Sequence, residues 1–207
     1  MLPETFLFLD TPGSRLDAPE VSSSAAACNA TIISSYYKIE SKHSHQEYVA
    51  WMTNFLSLQD CIAVFVDPDQ EFDIHELRTS GFPLITIPWK MDSFLVSSMV
   101  SEKEWGEQEE LDPEQDIGHN RDLYKIWSEK TNMMKIVADQ NPFASSYFVW
   151  MDIGAVRHSD YNDQLMVRNI PKENGVLLLL VQEFTEEEKV ITGGKSAADF
   201  SDIEARI

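Results

Sequence analysis

Short apolar runs alternate with helix-period segments along most of this chain, and no other feature constrains its fold as strongly. Residues 31–37 form an apolar run of strand length, and residues 45–58 carry apolar side chains at helical steps. The continuous apolar run Cys61–Val66 is typical of a strand that is covered on both faces of a parallel sheet. Strands that alternate with helices build parallel sheets, so the pattern predicts an α/β fold with a Rossmann-like, mostly parallel sheet and flanking helices.

The remaining elements continue the alternation. A short helix is predicted at residues 73–79 and a third strand at residues 84–89. The helix with the clearest signals begins behind Asn120, a candidate N-cap, and ends before Pro142. Two further apolar runs are predicted to be the fourth and fifth strands, at residues 147–151 and 175–181.

The charge balance excludes one class of partner. Thirty-five acidic residues against 16 lysines and arginines leave a formal charge of −19, which repels phosphate backbones, so nucleic-acid binding is not expected. The acidic residues are densest at residues 102–116, where Lys103 is the only cation. This stretch is predicted to be a solvated loop.

No transmembrane segment or secretory signal is expected. No apolar run approaches the roughly 20 residues that span a bilayer, and the apolar run near Met1 is broken by Asp10. These observations leave localisation unassigned, with a cytoplasmic location as the default. Cys28 and Cys61 are expected to be two thiols near strand starts, and a disulfide between them is the alternative if the starts of those two strands are neighbours.

The chain is predicted to consist of a flexible N-terminal arm, residues 1–29, and one domain, residues 30–207. The arm contains several prolines and the Ser/Ala run at residues 22–27, a composition that favours loose structure. At the other end, apolar residues recur at helical steps behind Ser196 and continue to Ile207 without a cap. We therefore expect the domain to be truncated at its C-terminus.

Aspartates follow two of the predicted strands, where ligands of such sheets bind. Asp152 follows the fourth strand and suits a ribose hydroxyl or a divalent cation, while Gly154 would let a ligand approach the backbone. A turn capped by Asp152, with a positive φ at Gly154, is the alternative. Asp67 and Asp69 follow the second strand and suit Mg²⁺, Mn²⁺ or a nucleoside sugar, although Asp-Pro-Asp is also common turn chemistry.

Positive side chains near the same strand ends are candidates for neutralising a diphosphate. Arg157 lies directly beyond the fourth strand, and Lys130 lies on the preceding helix, where it forms a solvated face with Glu129 in the alternative interpretation. Tyr37 after the first strand and Glu183 after the fifth complete the candidate set. The crevice is therefore predicted to be aromatic and acidic.

One segment resembles a known family. Residues 141–154 read Asn-Pro-Phe-Ala-Ser-Ser-Tyr-Phe-Val-Trp-Met-Asp-Ile-Gly, which resembles the HtrL/YibB-like proteins, where an Asn-Pro-Phe turn precedes a Trp-x-Asp-x-Gly strand end. Other parts agree in order, namely residues 31–37, 48–51 and 191–194 together with Lys130. The similarity spans residues 30–194, and the segment around Asp152 is its specific part.

The family is similar to glycosyltransferases of the GT-A fold, so the resemblance implies a GT-A-like domain that transfers a sugar from a nucleotide-sugar donor to an unidentified acceptor. It places Asp152 at the metal- and donor-binding Asp-x-Asp motif of that fold, with Mn²⁺ or Mg²⁺ as the implied cofactor. The second aspartate of the motif is Gly154 here. Asp152 and Glu183 are then catalytic, with Glu183 as the acceptor-side base. The implied donor-binding residues are Asp67, Asp69, Tyr37, Lys130, Gly154 and Arg157.

Two other functions compete with this prediction. A noncatalytic α/β module would use the same crevice to bind a sugar or a protein. A P-loop nucleotidase would depend on Lys195 in the sequence Thr-Gly-Gly-Lys-Ser, but the first glycine of the P-loop pattern is Lys189 here. A tight turn is the expected structure at residues 192–196.

Overall fold

The fold is built around a four-stranded sheet in the order β3-β2-β1-β4, in which every strand pair is parallel. The computed structural model describes residues 28–69, 74–162, 167, 175, 191–192 and 195–196. The strands are β1 (Ala30–Tyr36), β2 (Cys61–Val66), β3 (Leu84–Pro88) and β4 (Tyr147–Trp150). The predicted α/β, Rossmann-like fold is confirmed.

The described residues also form four α-helices, which are α1 (His45–Leu56), α2 (Leu95–Met99), α3 (Glu102–Leu111) and α4 (Arg121–Gln140). Short 3₁₀ helices lie at Ile74–Leu77, Met91–Ser93, Gln115–Ile117 and Ser159–Tyr161. The N-cap predicted for α4 is confirmed, because the Asn120 side chain accepts the Leu123 N–H at 3.1 Å. At its other end, α4 stops at Asn141, which has a left-handed backbone with φ of 39°.

Helices cover both faces of the sheet. Successive residues of a strand point to opposite sides, so each strand contributes side chains to both layers. The layer that includes α1 contains Ile32, Ile62, Val64, Met52 and Phe55. The layer that includes α4 contains Ile33, Ala63, Phe65, Met133 and Val137. All six residues of β2 are buried, as predicted for a strand with a helix layer on each face.

The acidic segment at residues 102–116 is largely helical, so the prediction of a solvated loop is wrong. Ser101 and Glu104 form a capping box, in which the Glu104 carboxylate accepts the Ser101 N–H at 2.8 Å. Trp105 is buried and anchors α3 to the domain. Because glutamate, glutamine and leucine are good helix formers, a capped start and one apolar anchor are sufficient for a helix.

The expectation of two free thiols is also wrong. Cys28 and Cys61 form a disulfide with a Cα–Cα distance of 6.2 Å, because β1 and β2 are neighbours and Thr31 lies opposite Cys61. The Cys28 N–H donates to the Phe143 carbonyl at 2.9 Å. Residue 28, which the sequence assigned to the N-terminal arm, is thus attached to the domain, while residues 1–27 lie outside the described residues.

Several C-terminal predictions fall outside the described residues. They are the fifth strand apart from Gly175, the residue Glu183 and the helix behind Ser196. Ile191–Thr192 pairs antiparallel with Lys195–Ser196. Lys195 therefore lies in a short strand and does not open a helix as a P-loop lysine does, so this pairing contradicts the P-loop interpretation. None of the helices in the described part of the chain has the length and apolar character to cross a bilayer.

Candidate functional site

The order of the strands creates a crevice between the carboxyl ends of β1 and β4. From β1 the sheet extends to β2 and β3 on one side and to β4 on the other, so the winding direction changes between β1 and β4. Ligands of open α/β sheets bind at such a switch point. A cavity of about 500 Å³ lies there, which is the size of a small-molecule site.

The cavity is lined by rings and positive charges. Its aromatic lining comprises Tyr36, Tyr37, Tyr48, Trp51, Trp127 and the histidines His43, His45 and His119. Its cationic lining comprises Lys38, Lys42, Lys130 and Arg157. Asp152 is the one carboxylate that the described residues contribute to the lining. The sequence predicted an aromatic and acidic crevice, and the cavity is instead aromatic and cationic.

Five of the eight predicted site residues line this cavity, namely Tyr37, Lys130, Asp152, Gly154 and Arg157. Asp67 and Asp69 do not, because they follow β2, whose carboxyl end lies away from the switch point. The Asp67 carboxylate accepts the Asp69 N–H at 2.9 Å, which is the turn chemistry of the alternative interpretation, and Asp69 pairs with Lys90 at 2.8 Å. Glu183 lies outside the described residues.

Asp152 is held by one helix and by its own strand. Its side chain is 62% exposed, and Lys130 Nζ on α4 lies 2.9 Å from Oδ1 and 3.2 Å from Oδ2. The indole N–H of Trp150 donates to Oδ1 at 2.8 Å. The Lys130 ammonium also lies 5.6 Å from the centre of the Trp150 ring. The carboxylate is therefore oriented at the cavity with its charge balanced by Lys130.

Gly154 packs closely against two aromatic rings of α1. A Cβ at this position would lie 3.1 Å from Trp51 Cε3 and 3.4 Å from Tyr48 Cε1. Among the described glycines, only Gly118 has a positive φ, so the interpretation of Gly154 as a positive-φ turn residue is wrong. A side chain at position 154 would require these rings of α1 to shift.

Trp51 joins the aromatic wall to a cation. The Arg157 guanidinium carbon lies 4.5 Å from the centre of the Trp51 ring. The rings of His43 and Tyr48 meet Trp51 in edge-on contacts, at centroid distances of 4.8 and 5.3 Å. Arg157 remains exposed, so its N–H donors are accessible to an anionic ligand.

The tyrosines of the cavity are walls and hydrogen-bonding groups, because burial keeps them protonated. The Tyr36 hydroxyl is hydrogen-bonded to His45 Nδ1, and burial raises the pKa of Tyr36 to about 12. The Tyr37 hydroxyl donates to the Trp89 carbonyl at 2.9 Å, and burial raises the pKa of Tyr37 still further. Neither phenol is suited to act as a base at neutral pH.

The adjacent residues Glu129 and Lys130 of α4 lie in different environments, which the interpretation of both as part of a solvated face did not predict. The Glu129 side chain is fully buried, and its carboxylate accepts the N–H groups of Leu95 at 3.1 Å and Val96 at 2.9 Å. Glu129 therefore attaches α2 to α4, whereas Lys130 faces the cavity.

Sequence reasoning missed the contribution of α1 to the site. The pattern assigned residues 45–58 to a helix with an apolar face, and the predicted site residues did not include His43, His45, Tyr48 or Trp51, which line the cavity. Because α1 begins shortly after β1 ends, its first turns border the same crevice as the end of β1. The position of a helix start directly behind a candidate strand end was the available signal.

The residues at the cavity do not fit the divalent cation that the resemblance implies. Asp152 is already bound by Lys130 and Trp150, and the second position of the Asp-x-Asp motif is Gly154, where any side chain would meet Trp51. Across the described ranges, no three His, Cys, Asp or Glu side chains are grouped so that they could hold a metal ion.

Comparisons of the chain with protein-family models, with curated proteins and with solved structures found no match. The resemblance of residues 141–154 to the HtrL/YibB-like proteins therefore stays a prediction, as does the activity that it implies. The chemistry of the cavity is the basis on which a function can be proposed.

Proposed function

We propose that the protein binds a nucleotide-sugar donor between the carboxyl ends of β1 and β4 and transfers the sugar to an acceptor. The observation that carries this proposal is the cavity at the switch point, where the described residues supply aromatic walls, four cations and one carboxylate in a strongly acidic chain. A nucleotide sugar offers a flat base, a diphosphate and several hydroxyls. Rings, cations and a carboxylate are the groups that recognise these three features.

Four of the lining residues have a stated role in this proposal. Asp152 accepts hydrogen bonds from the donor's ribose hydroxyls, and Tyr37 forms part of the wall. Lys130 and Arg157 bind the diphosphate and stabilise the negative charge that develops on it. The acceptor hydroxyl attacks the anomeric carbon as the bond to the diphosphate oxygen breaks, and the electron pair leaves with the nucleoside diphosphate. The hydroxyl proton passes to a base, for which Glu183 stays the prediction.

The alternative is a noncatalytic module that binds a sugar or a protein in the same cavity. One observation favours it: within the described ranges, Asp152 is the single carboxylate of the lining, and Lys130 already neutralises it. Release of nucleoside diphosphate during incubation with a donor and candidate acceptors would support the transferase. A donor that binds but is never consumed would support the module.

A thermal-shift titration with UDP- and GDP-sugars tests donor binding. A donor at about 100 times its Kd is expected to add about 2.7 kcal/mol to the free energy of unfolding, and Asp152→Asn should remove most of this gain. Asp139→Asn is the matched control, because the side chains of Asp139 and Asp152 are both 62% exposed and each pairs with a lysine of α4. Asp139 does not line the cavity. The absence of a shift with every donor would contradict the proposal.

A further inference from the structure

The ammonium of Lys130 occupies the position of a cation that would be chelated by both oxygens of Asp152. It contacts both carboxylate oxygens, at 2.9 and 3.2 Å, and the Trp150 indole N–H occupies Oδ1 as well. The Lys130 side chain is 26% exposed, so its position is restricted by the surrounding groups. A divalent cation chelated by both oxygens of Asp152 would therefore have to displace Lys130.

A second carboxylate cannot be added next to Asp152 without disturbing the wall. Its nearest place along the chain is position 154, where even a Cβ would lie 3.1 Å from Trp51. Hard divalent cations require several oxygen ligands, and one exposed carboxylate that is already paired does not supply them. The cavity is therefore built for an anion and not for a metal ion.

The balance of charges around the cavity supports the same conclusion. The part of the chain that the structure describes contributes four cationic side chains and one carboxylate to the lining, although the whole chain has a formal charge of −19. Lys130 and Arg157 flank the end of β4, and each contacts a tryptophan ring, at 5.6 and 4.5 Å from its centre. Lys38 and Lys42, both exposed, add positive charge behind the end of β1.

We propose that Lys130 and Arg157 bind the diphosphate of the ligand directly, with Lys38 and Lys42 adding charge, and that no divalent cation takes part. This inference deepens the proposed function and rests on it for the identity of the ligand. Asp152 is in this respect a positioning residue, because it holds the Lys130 ammonium at the cavity. The positive charge that a metal ion would bring to the diphosphate comes from the chain itself.

Titration calorimetry with inorganic pyrophosphate tests the inference on the intact chain. In EDTA the wild-type protein should bind pyrophosphate, and replacing EDTA by Mg²⁺ should leave the affinity unchanged or lower it, since Mg²⁺ competes for the ligand. Lys130→Met should weaken binding at least tenfold. Lys135→Met is the matched control, because Lys135 also lies on α4 and pairs with an aspartate but does not line the cavity, and its affinity should stay within twofold of wild type.

Arg157→Met provides a second test in case Lys130→Met fails to fold, because Arg157 is exposed. It too should weaken binding at least tenfold. Binding that requires Mg²⁺, or no pyrophosphate binding under either condition, would overturn the inference. Pyrophosphate binding without a response to any nucleotide sugar would instead contradict the proposed function, and donor binding that requires Mg²⁺ would leave the proposed function standing without the inference.

Discussion

At the amino ends of the strands, covalent and hydrogen bonds join the elements, whereas at the carboxyl ends charged and aromatic side chains surround a cavity. The amino ends of the strands, which we call the closed edge, contain the Cys28–Cys61 disulfide and a hydrogen bond of 2.8 Å between the Thr31 and Ser145 hydroxyls. The carboxyl ends of the strands, which we call the open edge, contain the Lys130–Asp152 pair. The closed edge contributes stability to the domain, whereas the open edge leaves polar groups accessible to a ligand.

Arg78 provides hydrogen-bond donors for several backbone carbonyls at the closed edge. Its guanidinium donates to the carbonyls of Leu56 at 2.7 Å, Leu58 at 3.0 Å and Asp60 at 2.7 Å, behind the end of α1, and to that of Phe82 at 3.1 Å. Burial lowers the pKa of Arg78 to about 10, so the side chain stays charged at neutral pH. The Arg78 donors are used in hydrogen bonds to backbone carbonyls, whereas the cations at the open edge are available to bind an anion.

Removal of the disulfide should have the largest effect on stability and should act on the closed edge alone. The cysteines are separated by 33 residues, and a loop of this length predicts a loss of about 4 kcal/mol in the free energy of unfolding for Cys28→Ser/Cys61→Ser. Urea denaturation with and without a reducing agent measures the change. The double variant should not respond to the reductant, and pyrophosphate binding should persist below the unfolding transition. A wild-type midpoint that is unaffected by the reductant would contradict the prediction.

A methyl group at position 154 should disturb the open edge to a smaller extent. Gly154→Ala places a Cβ 3.1 Å from Trp51 Cε3, so the ring must shift by a few tenths of an ångström. We expect the neighbouring rings to resist this shift, at an overpacking cost of about 1 to 3 kcal/mol. We also expect weaker pyrophosphate binding, because a shift of the Trp51 ring displaces Arg157. Gly81→Ala is the control, since nothing lies within 4 Å of a Cβ at that position, and it should leave both quantities nearly unchanged. Equal effects of the two substitutions would argue against close packing at Gly154.

The smallest effect should be a pH dependence of the contacts beside the cavity. Burial opposes ionisation of Asp112, but hydrogen bonds from the Tyr124 hydroxyl at 2.7 Å and the Glu114 N–H at 2.7 Å, together with His119, lower its pKa. A lowered pKa in the folded state means that Asp112 contributes stability above its unfolded pKa of about 4 and loses that contribution as the pH falls through the folded value.

Asp112→Asn should therefore flatten the acid side of the stability curve by about 0.5 kcal/mol, at the lower end of what a hydrogen bond contributes to stability. Urea midpoints measured from pH 6 down to pH 3 test this change. Asp116→Asn controls for the loss of one negative charge in the same segment. An identical acid response of wild type and Asp112→Asn would show that the hydrogen bonds of Asp112 do not contribute.

Local signals accounted for most of the fold. The apolar run of β2 was located at its observed bounds, and Asn120 was identified as the N-cap of α4, because apolar period and capping depend on residues a few positions apart. The helix α3 was missed because its negative charge was weighed before its Ser101–Glu104 capping box. Burial of Glu129 could not be predicted, since its partners on α2 lie more than 30 residues away in the sequence.

The candidate site was only partly within reach of the sequence. The rule that ligands bind beyond strand ends selected Asp152, Lys130 and Arg157, and these residues share one cavity. The same rule selected Asp67 and Asp69, because it does not say which strand ends are neighbours at the switch point. The location of β2 on the far side of β1 from β4 separates that pair from the cavity.

By itself, the amino-acid sequence determined where β1 to β4 and the capped helices α1 and α4 form, because hydrophobic period, caps and turn residues act over a few positions. Only the tertiary structure decided that Cys28 meets Cys61, that Lys130 meets Asp152 and that the cavity is cationic. The physical reason is that these contacts depend on the order of the strands. That order results from packing between residues far apart in the chain, and no local pattern encodes it.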